Sequence, residues 1–327
     1  MTAETMRAVV LARPGGPEVL SVDRVRTPVP GAGEVLIRVC AFGLNNAEIL
    51  QRRGAMPPPD GGIPGLECSG VVAAIGPGVK GWQAGDRVAA LTRSGAYAEY
   101  VAVPAGACIR VPDRLDLTVA AAVPEAAATA WWNLVCRGRI RAGERVLVHG
   151  AAGGVGSIAV QLARRLGAYV VGTARGEHKT RLCADLGCHE VLDYGSDDVF
   201  AMAGEGFDVI LDNQGGPAVS ANVSALAPFG RLVIVGVQAG SAGSLDVADL
   251  MGRAAEVSSS SLGRLDNVVR ETICRDVERE VLPRLADGTI RMVVDSRFRL
   301  DDVVAAHTRF GAPDRVGKVV VAVTDGI

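Results

Sequence analysis

Apolar residues are distributed along this chain in two textures. Up to about residue 120 the apolar runs are short and broken by Gly and Pro, at 8–11, 35–39, 70–75, 87–91 and 97–103. Such spacing predicts short strands in an antiparallel, barrel-like domain. The run Pro57-Pro58-Pro59-Asp60-Gly61-Gly62 predicts a loop without regular structure. From about 125 to 261 strand-length runs (146–149, 169–173, 191–193, 207–212 and 232–237) alternate with helix-length segments, which predicts a parallel sheet. Beyond 262 the pattern is mixed: a helix is expected near 268–286, a strand at 291–294, a helix at 301–309 and a last strand at 318–323. That strand is expected to rejoin the first region, leaving the middle one as an insertion. The expected class is α/β, with residues 1–122 and 262–327 forming one domain and 123–261 the other.

The middle region carries the most specific motif. Residues 146–156 read Val-Leu-Val-His-Gly-Ala-Ala152-Gly153-Gly154-Val155-Gly156, and apolar side chains at 155, 158, 159, 162 and 166 then trace one helical face. Strand, glycine turn, helix and second strand fit within about 30 residues, as a dinucleotide-binding βαβ unit requires. Gly153 lets the backbone approach a pyrophosphate, Gly156 lets the helix press onto the strand, and the helix N-terminus faces the phosphates. The second strand ends Thr173-Ala174-Arg175-Gly176, with Lys179 four residues after Arg175. An NAD site usually places a carboxylate at that strand end for the ribose 2′-hydroxyl. Here two cations stand instead, a planar fork and a mobile point charge, both suited to a 2′-phosphate. NADPH is therefore expected over NADH, with a solvated basic turn as the plainer alternative.

Composition narrows the class. A chain of 327 residues is too long for a single core to be the default. A net charge of −2 leaves no electrostatic footprint for nucleic acid. The first seven residues lack the apolar core of a signal peptide, and the most apolar stretch, 119–135, is broken by Pro124 and Glu125 and is short for a bilayer. Seven cysteines without a Cys-x-x-Cys pair predict reduced, mostly buried thiols in a cytoplasmic protein. Of the four histidines, His149 is expected to be a satisfied packing residue, His178 to lie on the adenine rim and His307 on a surface helix.

Several landmarks in order make the family resemblance specific: Gly43-Leu44-Asn45 through Gly54, Gly65 through Gly70, Gly85-Asp86-Arg87-Val88, Gly95 through Tyr100, Pro124-Glu125 before Thr129-Ala130, His149 through Gly156, and Gly317-Lys318. The chain resembles the zinc-independent quinone oxidoreductase branch of the medium-chain dehydrogenase/reductase superfamily, and within it the p53-inducible group. The resemblance implies a GroES-like, barrel-type catalytic domain and a doubly wound Rossmann domain binding NADP. It implies no metal, because Asn45 and Leu66 stand where zinc-dependent relatives carry Cys and His, and their four-cysteine lobe has no counterpart.

For the site, the resemblance implies that Asn45 lies beside the nicotinamide and donates from its amide to a substrate oxygen. Thr129 would approach the nicotinamide ribose or ring, or simply sit in a helix. Tyr194 matches a residue lining the 2′-phosphate pocket. Asn213 falls at a strand's carboxyl end, and Gly236 and Val237 resemble the segment that passes the nicotinamide. Lys318 reaches the cofactor or is an ordinary surface lysine. With Ala152 to Gly156, Thr173, Arg175 and Lys179, these complete the expected cofactor-binding set. Leu50 stands where another branch has Tyr, so that branch's substrate preference does not transfer. The implied activity is metal-free hydride transfer from NADPH to a quinone-type acceptor, with solvent supplying the proton. The alternatives are reduction of an enone or enoyl thioester, or a non-catalytic NADPH-binding protein of crystallin type. A homodimer is expected through the nucleotide domain, along the strand near 257–261. Neither nucleic acid nor membrane is expected as a partner.

Overall fold

The computed structural model describes residues 4–196, 204 and 206–324. The chain divides into two compact units, Met1–Ala128 with Leu265–Ile327, and Thr129–Arg264. Both divisions fall a few residues beyond the expected 122 and 261. At the first, the helix Pro124–Trp131 is tied to the first unit at its start, where the Glu125 N–H donates to Glu67 Oε2 at 2.8 Å.

In the first unit β1 (Thr5–Leu11) and β2 (Leu20–Arg26) form an antiparallel pair. The sequence reading passed over β2, although its apolar residues alternate at 20 and 22. The larger sheet holds β3 (Glu34–Gly43), β4 (Glu67–Ile75), β5 (Arg87–Leu91), β6 (Tyr100–Pro104) and β7 (Cys108–Arg110). β3 is its centre, pairing with β4, β6 and the last strand of the chain. Val35 to Ile37 and Val39 to Phe42 are all buried, so both faces of β3 are covered and the strand is apolar without alternation.

In the second unit β8 (Arg145–Val148), β9 (Tyr169–Ala174), β10 (Glu190–Asp193), β11 (Phe207–Asp212), β12 (Leu226–Ile234) and β13 (Glu256–Ser259) form a wholly parallel sheet. Their order is β10-β9-β8-β11-β12-β13. Chain direction across the sheet reverses between β8 and β11, as in doubly wound dinucleotide-binding domains, whose ligands bind at the carboxyl ends of the strands there. β12 begins earlier than the expected 232, because Pro228 and Gly230 inside it read as breakers. The structure accommodates them with a register shift against β11 and a positive φ of 63° at Phe229.

The chain then returns to the first unit. The single helix expected at 268–286 is two, Asn267–Glu280 and Leu282–Ala286, because Pro283 has no N–H to continue the ladder. The strand expected at 291–294 is β14 (Val294–Arg299), and β15 (Lys318–Ala322) pairs with both β14 and β3. The helix Val303–Phe310 corrects one expectation: His307 is buried, not on the surface. Val303, Ala306 and His307 share the helix face that packs on the core, so position outweighs residue polarity. Five of the seven cysteines are buried thiols, as composition suggested. Among the described residues no helix is long and apolar enough to cross a membrane.

Candidate functional site

Two groups of expected site residues are assembled, one in each unit. In the second unit the strand β8 runs into His149 and Gly150, whose φ of 60° favours glycine. The turn closes where the Gly153 N–H donates to Gly150 O at 2.9 Å, and the helix Gly154–Arg165 begins. A Cβ at Gly156 would lie 2.3 Å from the Gly150 oxygen and 2.8 Å from Ala151 Cα. Gly156 therefore presses the helix against the turn itself rather than the strand. The first N–H groups of this helix, from Gly154 to Gly156, have no intrahelical acceptor.

Beneath the turn is a buried polar network. His149 meets Asn222 Oδ1 at 2.8 Å through Nε2 and Thr173 Oγ1 at 3.2 Å through Nδ1. Burial lowers the His149 pKa, so the ring is a neutral packing group. Thr173 Oγ1 also accepts the Gly150 N–H at 3.2 Å, and its side chain is buried. This changes the role expected of Thr173: it braces the glycine turn from below and presents nothing to a cofactor. Ala152 is buried in the turn and Val155 half-buried.

Asn213 follows β11 on the same edge. A Cβ at Gly150 would come within 2.5 Å of Asn213 Nδ2, and one at Gly236 within 3.0 Å of the Asn213 carbonyl oxygen. Gly236 and the exposed Val237 thus adjoin Asn213 and the glycine turn. Thr129, on the helix Pro124–Trp131, is nearly buried, and its carbonyl accepts the Asn133 amide at 2.7 Å.

Further along this edge Arg175 is exposed and Lys179 half-buried in the first turn of the helix Glu177–Asp185. Tyr194 is 52% exposed, and its N–H donates to Ala174 O at 3.1 Å, which brings the ends of β9 and β10 together. A carboxylate missing from the sequence reading stands here. Asp193 accepts the N–H groups of Gly176 and Gly195, both at 2.9 Å, and pins the two turns to each other. The parallel register of Asp193 with Ala174 is what delivers it.

In the first unit Asn45 lies two residues after β3, at the N-cap position of the helix Asn46–Arg52, with its side chain turned to other partners. Its Nδ2 donates to Glu67 Oε1 at 3.1 Å and, more weakly, to Glu48 Oε1 at 3.4 Å, while its Oδ1 accepts from Lys318 Nζ. An ammonium can only donate, so Lys318 fixes which end of the amide is oxygen. Lys318 is buried, donates to Leu44 O at 2.7 Å and pairs with Glu67. All three ammonium protons have partners, so the expectation that Lys318 reaches the cofactor fails, and so does the surface alternative. A Cβ at Gly43 would sit 2.3 Å from Glu67 Oε1, so that glycine makes room for the carboxylate. The sequence reading passed over Glu48 and Glu67, though acids within largely buried segments were a usable signal.

Two carboxylates and one ammonium are buried together, so one proton must stay to keep the group neutral. Burial pushes Glu48 up to about 8, against the opposing pull of Lys318. Unfolded Glu48 ionises near its ordinary 4.5, so stability falls as pH rises from there to about 8. His307 acts the other way. Burial, with Arg52 adding to it, holds its pKa at about 3 against an ordinary 6.5, so stability falls as pH drops below 6.5. The two slopes cancel between 4.5 and 6.5. In low-salt buffer the melting temperature should be greatest in that window. Glu48→Gln should flatten the alkaline decline, and a variant profile falling as steeply as the wild type would contradict the assignment.

The residues present do not suit the zinc of metal-dependent relatives. Asn45 is held by two carboxylates and a lysine, Leu66 has no donor atom, and among the described residues no three His, Cys, Asp or Glu side chains are grouped to hold a metal ion.

Comparison with known proteins agrees with this architecture. The family model of the alcohol dehydrogenase GroES-like domain matches residues 31–113, and that of zinc-binding dehydrogenase matches 154–279. Human quinone oxidoreductase is 32% identical over 311 residues, covering 92% of this chain and 93% of that protein. The mycocerosic acid synthase-like polyketide synthase of Mycobacterium tuberculosis is 32% identical over 329 residues, 98% of this chain, which spans 16% of that protein's length. The structure of Escherichia coli quinone oxidoreductase complexed with NADPH superposes with a TM-score of 0.89 at 26% identity, covering 97% of this chain and 100% of that one. With fold, glycine turn and full-length relatives in agreement, the chain belongs to the medium-chain dehydrogenase/reductase superfamily, in its quinone oxidoreductase-like branch.

Proposed function

We propose that this oxidoreductase uses NADPH to reduce an apolar, electron-poor acceptor of the quinone type. The observation that carries the reading is the carboxyl edge of the parallel sheet, where a glycine turn opening a helix shares one edge with the basic turn of Arg175 and Lys179 beside Tyr194. The N–H groups of residues 154–156 hold the pyrophosphate, and Arg175 and Lys179 hold the 2′-phosphate. Asn213, Gly236, Val237 and Thr129 serve the nicotinamide end. NADPH, when bound, supplies the hydride. Of the two Asn45 amide protons, the one in the 3.4 Å contact to Glu48 is the less tightly held and is the one left to meet the acceptor oxygen. Lys318 and Glu67 fix the rest of that amide, and solvent provides the proton that completes the quinol.

The match to a polyketide synthase supports a second reading, in which the same hydride goes to the carbon–carbon double bond of an enone or enoyl thioester. NADPH deuterated at the transferred C4 position should slow single turnover with the true acceptor, and a para-quinone tested beside an enoyl thioester separates the two readings. Asn45→Ala should lower kcat/KM by about 10- to 1,000-fold with little change in NADPH affinity. No isotope effect, together with a fully active Asn45→Ala, would remove both. Homodimer formation along β13, an edge of its sheet, belongs to the same proposal, and a monomer in light scattering at micromolar concentration would remove that part.

A further inference from the structure

Away from the residues assigned to the cofactor and its acceptor, the first unit buries three polar side chains that carry hydrogen-bonding atoms without a protein partner. Arg52, the last residue of the helix Asn46–Arg52, is 3% exposed, and its Nε and Nη1 are both unpartnered. Tyr97 is 0% exposed with an unpartnered hydroxyl, and His307 is 2% exposed with both ring nitrogens unpartnered. They come from three separate segments. The Tyr97 and His307 rings meet edge-on with centroids 5.8 Å apart, and the Arg52 charge acts on both.

The chemistry of these groups is one-sided. A guanidinium does not give up its proton, and a buried cation without a counter-charge is strongly destabilising. Among the described residues no carboxylate lies within ion-pair distance of Arg52. Glu48, one turn earlier on the same helix, has an unpartnered Oε2 but makes no ion pair with it, and Glu18 and Arg53 act on Arg52 only at longer range. Burial keeps His307 neutral and the Tyr97 phenol protonated. The inventory is therefore three guanidinium N–H groups on Nε and Nη1, one phenol O–H and one imidazole N–H around a single positive charge.

We propose that Arg52, Tyr97 and His307 together hold a small monovalent anion, of which chloride is the abundant example. One negative charge neutralises Arg52, whereas a divalent anion would leave a net buried charge. Spherical halides accept from donors in any direction, which suits donors supplied by three separate segments. The site is independent of the cofactor, and its test does not depend on turnover.

Bromide is the probe. Crystals of the full chain soaked in sodium bromide should show one anomalous peak within hydrogen-bond reach of Arg52 Nε and Nη1. In solution, replacing 0.1 M sodium gluconate by sodium bromide should raise Tm by about 2–5 °C in the wild type. Arg52→Met should abolish that difference. Bromide found only at the surface, water alone between the three side chains, or Arg52 turned to pair with Glu48 would each overturn the proposal. An unchanged bromide response in Arg52→Met would do the same. If that variant does not fold, the anomalous map of the wild type still decides.

Discussion

Replacing Arg175 by alanine is expected to weaken NADPH binding by about tenfold or more while leaving NADH binding nearly unchanged. A charge-assisted hydrogen bond to phosphate contributes about 1.5–3 kcal/mol, and 1.4 kcal/mol is a factor of ten. Arg175 is exposed, so the lower end of that range applies and the effect should shrink as salt is added. Lys179→Ala should act in the same direction, because Arg175 follows β9 and Lys179 lies in the first turn of the helix Glu177–Asp185 just after it. Paired titrations of each variant with NADPH and NADH check this. Equal loss of both cofactors would mean that the basic turn does not hold the 2′-phosphate.

The largest expected change in stability is at Lys318. Its replacement by methionine keeps the chain's length but leaves Glu67 and the Asn45 oxygen without their cation. Removing one partner of a buried ion pair is destabilising by about 3–5 kcal/mol, against less than about 0.5 kcal/mol for an ordinary surface lysine. Adding Glu67→Gln to Lys318→Met should restore part of the loss, because the remaining buried charge is then gone. Denaturant titration of the single and double variants measures both effects. A single variant within about 0.5 kcal/mol of the wild type would contradict the contacts described.

What could be read from sequence was what is local. The glycine turn, its helix and the cations after β9 lie in one stretch of about 30 residues, and spacing alone placed them. What could not be read depends on register between distant segments. Glu67 and Lys318 meet only because β4 and β15 both pair with β3, and Asp193 reaches Gly176 only through the pairing of β10 with β9. Thr173 illustrates a smaller gap. It sits near a strand end, where exposure is expected, yet strand alternation turns it under the turn toward His149. His307 was misplaced by its residue type, when its spacing from Val303 and Ala306 already put it on the inner face.

The distance in sequence between Asn45 and Lys318 also bears on the order in which the molecule is made. The hydrogen bond between them joins residues 273 positions apart. Until residue 318 has left the ribosome, Glu67 has no ammonium to pair with it. By then every residue of the second unit has been synthesised, while its strands, among the described residues, pair only among themselves. The strand pairing of the inserted unit is therefore complete in sequence before the unit that encloses it receives its last strand.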